Sequence, residues 1–296
     1  MSQSFIEISM QKHYTNYIIK PKKVNTLEDL PMNFKEKAEK MLPILGTHVH
    51  LSDTCITEIF ASFDYDYIWV DMEHTTLSPE QVRAHILAAK AHGCAVLVRV
   101  PVDDLTNTKR IIEMNVDGIV FPMVRDYGHA KQLIESTLYP PFGTRGCGPK
   151  GAVRFGIDDE PAYYREGHLK LGRFVQIEQK SAALDADRIA SIPHLDGCIL
   201  GMHDLSGSIG KLGDIFCEEN LALAMHAIRA FRSANKTVGI STCASDRETL
   251  QRYHDMGINM ITAGADYDYL VKNAKRTLKL QQEIWNTHAG KDSFTL

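Results

Sequence analysis

Eight short apolar, β-branched runs, each followed by a stretch with helical spacing, dominate the chain from about residue 42 onward. They are Ile44–His50, Tyr67–Val70, Ala95–Val100, Gly118–Phe121, Phe174–Ile177, Gly197–Leu200, Val238–Ser241 and Met260–Ala263. Continuous apolar runs of this length read as strands covered on both faces. Between them Val82, Ile86 and Ala89 recur at i, i+4, i+7, as do Leu221, Met225 and Ile228, which puts each trio on one helical stripe. Strands alternating with helices make a parallel sheet, and eight strands can close it into a barrel. The pattern therefore predicts an α/β fold, a TIM (β/α)8 barrel. An open doubly wound sheet is the competitor, but no Gly-x-Gly-x-x-Gly turn follows the first run,.

The 296 residues suffice for one such barrel with extensions,. Residues 1–32 read as a polar N-terminal extension and residues 33–296 as a single barrel domain. Residues 139–172 form a long excursion between the fourth and fifth strands, and a loop of that length in a compact domain is usually functional. The net charge of −4 argues against a nucleic-acid partner, since phosphate neutralisation needs clustered Lys and Arg. Cysteines at 55, 94, 147, 198, 217 and 243 include no Cys-x-x-Cys pair, so neither a zinc ribbon nor a disulfide framework is expected. The first twenty residues hold no continuous apolar h-region,. No window approaches the roughly 20 apolar residues of a membrane span. A cytoplasmic protein without a membrane partner is the expectation.

In a β/α barrel the chemistry sits at the carboxyl ends of the strands, and several runs here end in ionisable groups. The second leads into Asp71-Met72-Glu73-His74, the third ends in Arg99, the fifth in Glu178, and the sixth leads through Gly201-Met202-His203 to Asp204. Collecting these charges in one place is costly unless they are paired or metal-bound. Glu178 and Asp204, two hard carboxylates on adjacent strands, suit Mg²⁺ or Mn²⁺ with water and substrate completing the shell, Co²⁺ and Zn²⁺ being alternatives. The competing reading makes each a helix cap, which suits Asp204 before Leu205-Ser206 better than Glu178. Asp71 with His74 is a candidate acid–base pair, because a carboxylate on one imidazole nitrogen leaves the other to carry a proton. Arg99 can stabilise a developing enolate oxygen, or pair with Asp71 or Glu73. Arg145, in a Gly-Thr-Arg-Gly turn, can clamp a substrate carboxylate or order its own loop. Backbone N–H groups around Gly201–Asp204, opening a helix, offer an anion site. None of these strand ends carries a lysine, which disfavours a Schiff-base route.

Taken in order, Asp71-Met-Glu-His74, Val98-Arg99, Phe121-Pro-Met-Val124, Tyr139-Pro-Pro-x-Gly-x-Arg-Gly146, Val175-Gln-Ile-Glu178 and Gly201-x-x-Asp-Leu-Ser206 resemble the HpcH/HpaI family of metal-dependent pyruvate aldolases. The resemblance spans about residues 42–285. It implies a barrel of the phosphoenolpyruvate/pyruvate type that cleaves 2-oxo-4-hydroxy acids into pyruvate, or a related 2-oxo acid, plus an aldehyde. It further implies that the residues matching Glu178 and Asp204 bind the metal and that the one matching Arg99 contacts the keto oxygen. Those matching His74 and Asp71 form a base acting through water. The one matching Gln176 lies beside the metal, and the one matching Arg145 lies near the aldehyde end. A hexamer is also implied, with the last helix, here after Tyr267, packed on a neighbouring subunit.

Some positions depart from that pattern. The first strand reads Gly46-Thr-His48-Val-His50 where a Gly-x-Trp segment is usual, and Gly-Pro-Ala-Asp is replaced by Gly201-Met-His203-Asp204. Extra imidazoles at His48, His50 and His203 would line a different substrate pocket, accepting another aldehyde or another reaction such as 2-oxo acid decarboxylation. His48-x-His50 also opens a zinc amidohydrolase reading, which needs further His ligands on strands five and six and an Asp closing strand eight. A barrel that binds a 2-oxo acid without turning it over is a third alternative.

Overall fold

The computed structural model describes residues 32–289. The expected N-terminal extension therefore lies outside the described residues apart from Met32. Eight parallel strands close into a barrel in sequence order: β1 (Ile44–Val49), β2 (Tyr67–Asp71), β3 (Ala95–Arg99), β4 (Gly118–Phe121), β5 (Gly172–Ile177), β6 (Gly197–Leu200), β7 (Thr237–Thr242) and β8 (Met260–Ala265). The expected barrel is thus present. Its strand ends shift by a residue or two, and the largest consequence is at β8, which runs to Ala265 and leaves Asp266 directly after it.

The helices are α1 (Phe34–Glu39), α2 (Thr54–Ala61), α3 (Pro79–Ala91), α4 (Leu105–Glu113), α5 (Tyr127–Glu135), α6 (Glu160–Arg165), α7 (Lys180–Leu184), α8 (Ala186–Ala190), α9 (Met202–Ser208), α10 (Glu218–Ser233), α11 (Arg247–Asp255) and α12 (Asp266–Ala289). Several start on a side chain that accepts an otherwise orphaned N–H: Asp53 before α2, Ser78 in a capping box with Gln81 before α3, Asp104 before α4 and Asp126 before α5,.

Strand residues alternate between two cores, as the period of two requires. Ile44, Tyr67, Trp69, Leu97, Val120, Phe174, Ile199 and Met260 fill the barrel interior, and Phe34 and Ala38 of α1 join them. Phe34 lies against the rings of Tyr67 and Phe174, 5.3 and 5.8 Å between centroids, closing the amino-terminal mouth. Ile68, Val70, Val96, Val98, Ile119, Val175, Cys198 and Val238 pack outward against the helices. With one end plugged, the open end lies at the strand carboxyl termini.

The excursion contains two 3-10 turns, Gly151–Gly156 and Gly167–Lys170, around α6. It connects a helix to the following strand, so topology places it on the amino-terminal side of the barrel. The last helix, α12, leaves Leu270, Val271, Leu278, Leu280 and Trp285 exposed. All six cysteines are free thiols. Among the described residues no helix is long and apolar enough to cross a membrane.

Candidate active site at the carboxyl ends of the strands

The inward register of each strand continues to its carboxyl end, where it changes from apolar to ionisable. On β2 Tyr67 and Trp69 are followed by Asp71, on β3 Leu97 by Arg99, and on β5 Phe174 by Gln176 and then Glu178. Sheet register sets Asp71 opposite Arg99. The guanidinium takes both carboxylate oxygens, Nε to Oδ1 at 2.8 Å and Nη2 to Oδ2 at 2.6 Å. Its remaining edge reaches Glu73 Oε2 at 3.0 Å and Gln176 Oε1 at 3.4 Å. Gln176 in turn donates to Glu178 Oε2 at 2.6 Å, and the Met123 N–H donates to Glu178 Oε1 at 2.5 Å. Met123 sits in the left-handed region at φ 52°, the kind of local strain that clusters at functional sites. A continuous chain of polar contacts thus runs from β2 through β3 to β5.

Three carboxylates influence one another beside this chain, Glu178 buried, Glu73 half-buried and Asp204 exposed. Burial, together with the charges of Glu73 and Asp204, pushes the Glu178 carboxyl up to about 7 against the opposing Met123 N–H. Burial likewise raises Glu73, with Arg99 and His74 opposing and Asp71 and Asp204 adding to the rise. Glu73 Oε2 is buried, and its contact with Arg99 is an ion pair without hydrogen-bond geometry. Neither Glu178 nor Asp204 caps a helix. Gln179 is the N-cap of α7, while α9 is capped at Gly201 without a side-chain bond and carries Asp204 in its first turn. Gly201 is sterically required here, since a Cβ would lie 2.4 Å from Glu178 Oε2 and 2.6 Å from Glu178 Cβ.

Among the described residues no group of three His, Cys, Asp or Glu side chains could by itself hold a metal ion. The donors that repel one another here are carboxylates with one neighbouring cation, Arg99. That chemistry fits a hard divalent ion bound by two carboxylates, with the rest of its shell from water and substrate.

The structure rearranges several of the expected contacts. Asp71 pairs with Arg99 rather than with His74, because the register across β2 and β3 delivers the guanidinium to it. The turn after Asp71 carries His74 to the rim, where its side chain is 64% exposed and Nε2 lies 3.8 Å from Glu73 Oε2. His203 is exposed in the first turn of α9. Arg145 is buried elsewhere. Its guanidinium covers the Tyr139 ring at 4.6 Å, Nη1 reaches the Tyr163 hydroxyl at 3.4 Å, and its backbone N–H bonds Leu138 O. These partners belong to the helix-to-strand excursion, so within its own barrel Arg145 is on the side opposite the strand carboxyl ends, not at the aldehyde end of that site.

The two first-strand histidines separate into two levels. His48 is in the interior, 3% exposed, with Nδ1 2.7 Å from Gly264 O and Nε2 2.8 Å from Ser241 Oγ. The carbonyl must accept, so Nδ1 carries the proton and Nε2 accepts the serine hydroxyl. Neither nitrogen has a lone pair left for zinc, which removes one ligand from the amidohydrolase reading, although that reading's Asp after strand eight is present as Asp266. His50, one level up, has Nε2 3.6 Å from Asp71 Oδ2 and Nδ1 3.6 Å from Asp266 Oδ1. Asp266, 0% exposed, also accepts the backbone N–H groups of His50 and Leu51.

Glu73 and Asp266 are the site groups that a strand-end reading underrated. Asp266 was detectable as the next inward position after Gly264, had β8 been extended by two residues.

A pH prediction follows from His48. Burial, opposed by the bond to Gly264, pushes its imidazole down to about 4 from the ordinary 6.5. A depressed histidine contributes stability that is fully present above pH 6.5 and is lost as pH falls through 4, at most about 3 kcal/mol here. His48→Asn is expected to flatten the fall in unfolding free energy between pH 6.5 and 4, relative to the parent, in urea titrations at stepped pH. Parallel curves for the two proteins would refute a neutral, locked His48.

Residues 45–273 match the model of a family described as HpcH/HpaI aldolase/citrate lyase. The chain belongs to the HpcH/HpaI aldolase/citrate lyase family. The resemblance carried by the six motifs is borne out, and the matched span contains every strand-end residue discussed above. A hydroxypyruvate/pyruvate aldolase of Deinococcus radiodurans is 30% identical over 252 residues, 85% of this chain and 90% of the relative. A 4-hydroxy-2-oxo-heptane-1,7-dioate aldolase of Shigella sonnei is 26% identical, covering 82% and 92%. The crystal structure of an HpcH/HpaI aldolase from Desulfitobacterium hafniense DCB-2 superposes with TM-score 0.78 at 25% identity, covering 86% of this chain and 98% of that one. Within the HpcH/HpaI family this chain is a lyase of the aldolase type.

Proposed function

We propose that the chain cleaves a 2-oxo-4-hydroxy acid into pyruvate, or a related 2-oxo acid, and an aldehyde, at a site where Glu178 and Asp204 hold a divalent cation, Mg²⁺ or Mn²⁺ in preference to Co²⁺ or Zn²⁺. The observation that carries this reading is the Arg99 guanidinium. It is fixed in plane by two bonds to Asp71, with its free edge on Glu73 and on Gln176, the residue that in turn holds Glu178. A bound divalent cation supplies Lewis-acid stabilisation as negative charge builds on the 2-oxo oxygen. Arg99 adds a preorganised positive charge to the same oxygen, and Asp71 keeps it from reorienting during the reaction. Gln176 holds the Glu178 carboxylate in place from below, and Gly201 leaves room for both carboxylate and substrate, with His203 on the rim beside it. His74, exposed beside Glu73, exchanges protons with water at the site.

Small molecules are the substrates of this enzyme class. Assembly into a homo-oligomer, a hexamer, through the exposed apolar side chains of α12 belongs to the same reading, as does a cytoplasmic location. Oxaloacetate decarboxylation is the second reaction this site supports, since it generates the same enolate beside Arg99.

The test follows pyruvate release from a panel of 2-oxo-4-hydroxy acids, with oxaloacetate alongside, in the presence of Mg²⁺, Mn²⁺, Co²⁺ or Zn²⁺. Metal-dependent pyruvate from at least one hydroxy acid is expected. Pyruvate from none of them, with turnover of cyclic amides instead, would sink the aldolase reading.

A further inference from the structure

Cleavage of a 2-oxo-4-hydroxy acid leaves two charges to be managed, and His74, exposed at the rim and not paired with Asp71, exchanges protons with water rather than with the buried end of the site. The enolate oxygen faces Arg99, but the hydroxyl on the carbon that leaves as aldehyde must lose its proton, and Asp71 is a poor acceptor. Burial alone would raise the Asp71 carboxyl, yet the two guanidinium bonds hold it below the ordinary carboxylate range.

A carboxylate–imidazole pair does exist at the barrel mouth, on the other side of Asp71 from Arg99. Asp266 Oδ1 lies 3.6 Å from His50 Nδ1, and Asp266 Oδ2 takes the His50 and Leu51 backbone N–H groups at 2.9 and 2.8 Å. The carboxylate therefore fixes the backbone at His50 and faces its side chain at ion-pair distance. Nδ1 is buried without a hydrogen bond, and the carboxylate facing it is Asp266 at 3.6 Å; with the proton there, the Nε2 lone pair lies on the Asp71 side, toward the strand ends,. The ring is held from two sides by the edge-on Tyr267, 5.2 Å between centroids, and by His48 at 5.6 Å. An imidazolium formed here would lie between two buried carboxylates, Asp71 and Asp266, each 3.6 Å away, so its charge is stabilised where it forms.

We propose that His50, oriented by Asp266, is the catalytic acid–base residue for the hydroxyl of the carbon released as aldehyde. The inference rests on the aldolase reading above. The O–H bond breaks and its proton goes to His50 Nε2 while the C3–C4 pair moves to the 2-oxo oxygen, giving the aldehyde and the enolate. The enolate carbon takes a proton from water to become pyruvate, and His50 returns its proton to water. Decarboxylation of oxaloacetate breaks C3–C4 without any hydroxyl proton to remove, so His50 has no proton to carry in that reaction.

The experiment compares His50→Gln with the parent, metal-loaded, on both reactions. Retro-aldol kcat is expected to fall by about 10²–10³-fold, the usual scale of a positioned acid–base group, while oxaloacetate decarboxylation falls by less than about tenfold. Added imidazole should restore part of the retro-aldol rate to His50→Ala, which a merely structural role would not permit. Equal losses in both reactions, or a retro-aldol rate within a few-fold of the parent, would overturn the assignment. A parent enzyme that releases pyruvate from no hydroxy acid but still decarboxylates oxaloacetate would overturn the aldolase reading, and this inference with it.

Discussion

Glu178→Gln is expected to lower metal-dependent pyruvate release by about three orders of magnitude, while leaving the barrel folded. A cation that polarises the keto oxygen is worth several kcal/mol, and each ~1.4 kcal/mol is a factor of ten in rate. The carboxamide keeps the shape of the side chain and one oxygen for the Met123 N–H, but it lacks the charge that makes the site attractive to a divalent ion. Removing that charge relieves the repulsion among Glu73, Glu178 and Asp204 but sets the new amide NH2 against the Gln176 donor, so the metal-free variant should melt close to the parent. The combination of lost turnover, weakened metal binding by calorimetry and unchanged melting identifies a ligand rather than a structural carboxylate. Asp204→Asn should behave alike. Near-normal turnover in the double variant would show that the cation, if needed at all, is held elsewhere.

Arg99→Lys is the second large effect, an expected loss of about 10²–10³-fold in kcat, the range found when one oxyanion donor is removed. The conservative charge does not help, because the geometry is that of a fork. Nε and Nη2 occupy both oxygens of Asp71, leaving Nη1 to face Glu73 and Gln176. An ammonium has neither the plane nor the reach to satisfy Asp71 and face the substrate together. Asp71, 0% exposed, would be left under-paired, so some loss of stability is expected too, and thermal melts must be read beside the kinetics. A variant that kept its kcat and changed only KM would mean that Arg99 binds the ground state and the transition state equally.

Much of this site was legible before any coordinates, and particular residues show why. Glu178, Gln176, Arg99 and Asp71 sit on short apolar strands whose ends are unambiguous, and a barrel has only one end for chemistry. Their inward direction follows from counting in twos along the strand. For Asp71 the sequence offers two partners, His74 along the chain and Arg99 on the neighbouring strand, and spacing does not choose between them; strand register delivers Arg99. Of the two readings of Arg145, its contacts with Tyr139 and Tyr163 fit the ordering of its own loop. A Gly-flanked arginine in a long excursion suggests a substrate clamp, but whether that excursion lies at the mouth or the floor depends on whether it follows a strand or a helix.

By itself the sequence determined the eightfold alternation, the parallel barrel, the family and the set of charged groups at the strand ends. All of these depend on local periodicity and on residue chemistry, which are carried by consecutive positions. Only the tertiary structure decided the partners: Arg99 for Asp71, Gln176 and Met123 for Glu178, Ser241 and Gly264 for His48, Asp266 for His50. These pairs join residues separated by as many as 216 positions, brought together by ring closure between β8 and β1 and by strand register. A one-residue change in either would turn every side chain to the opposite face, and no periodicity within one strand specifies how it aligns with the next.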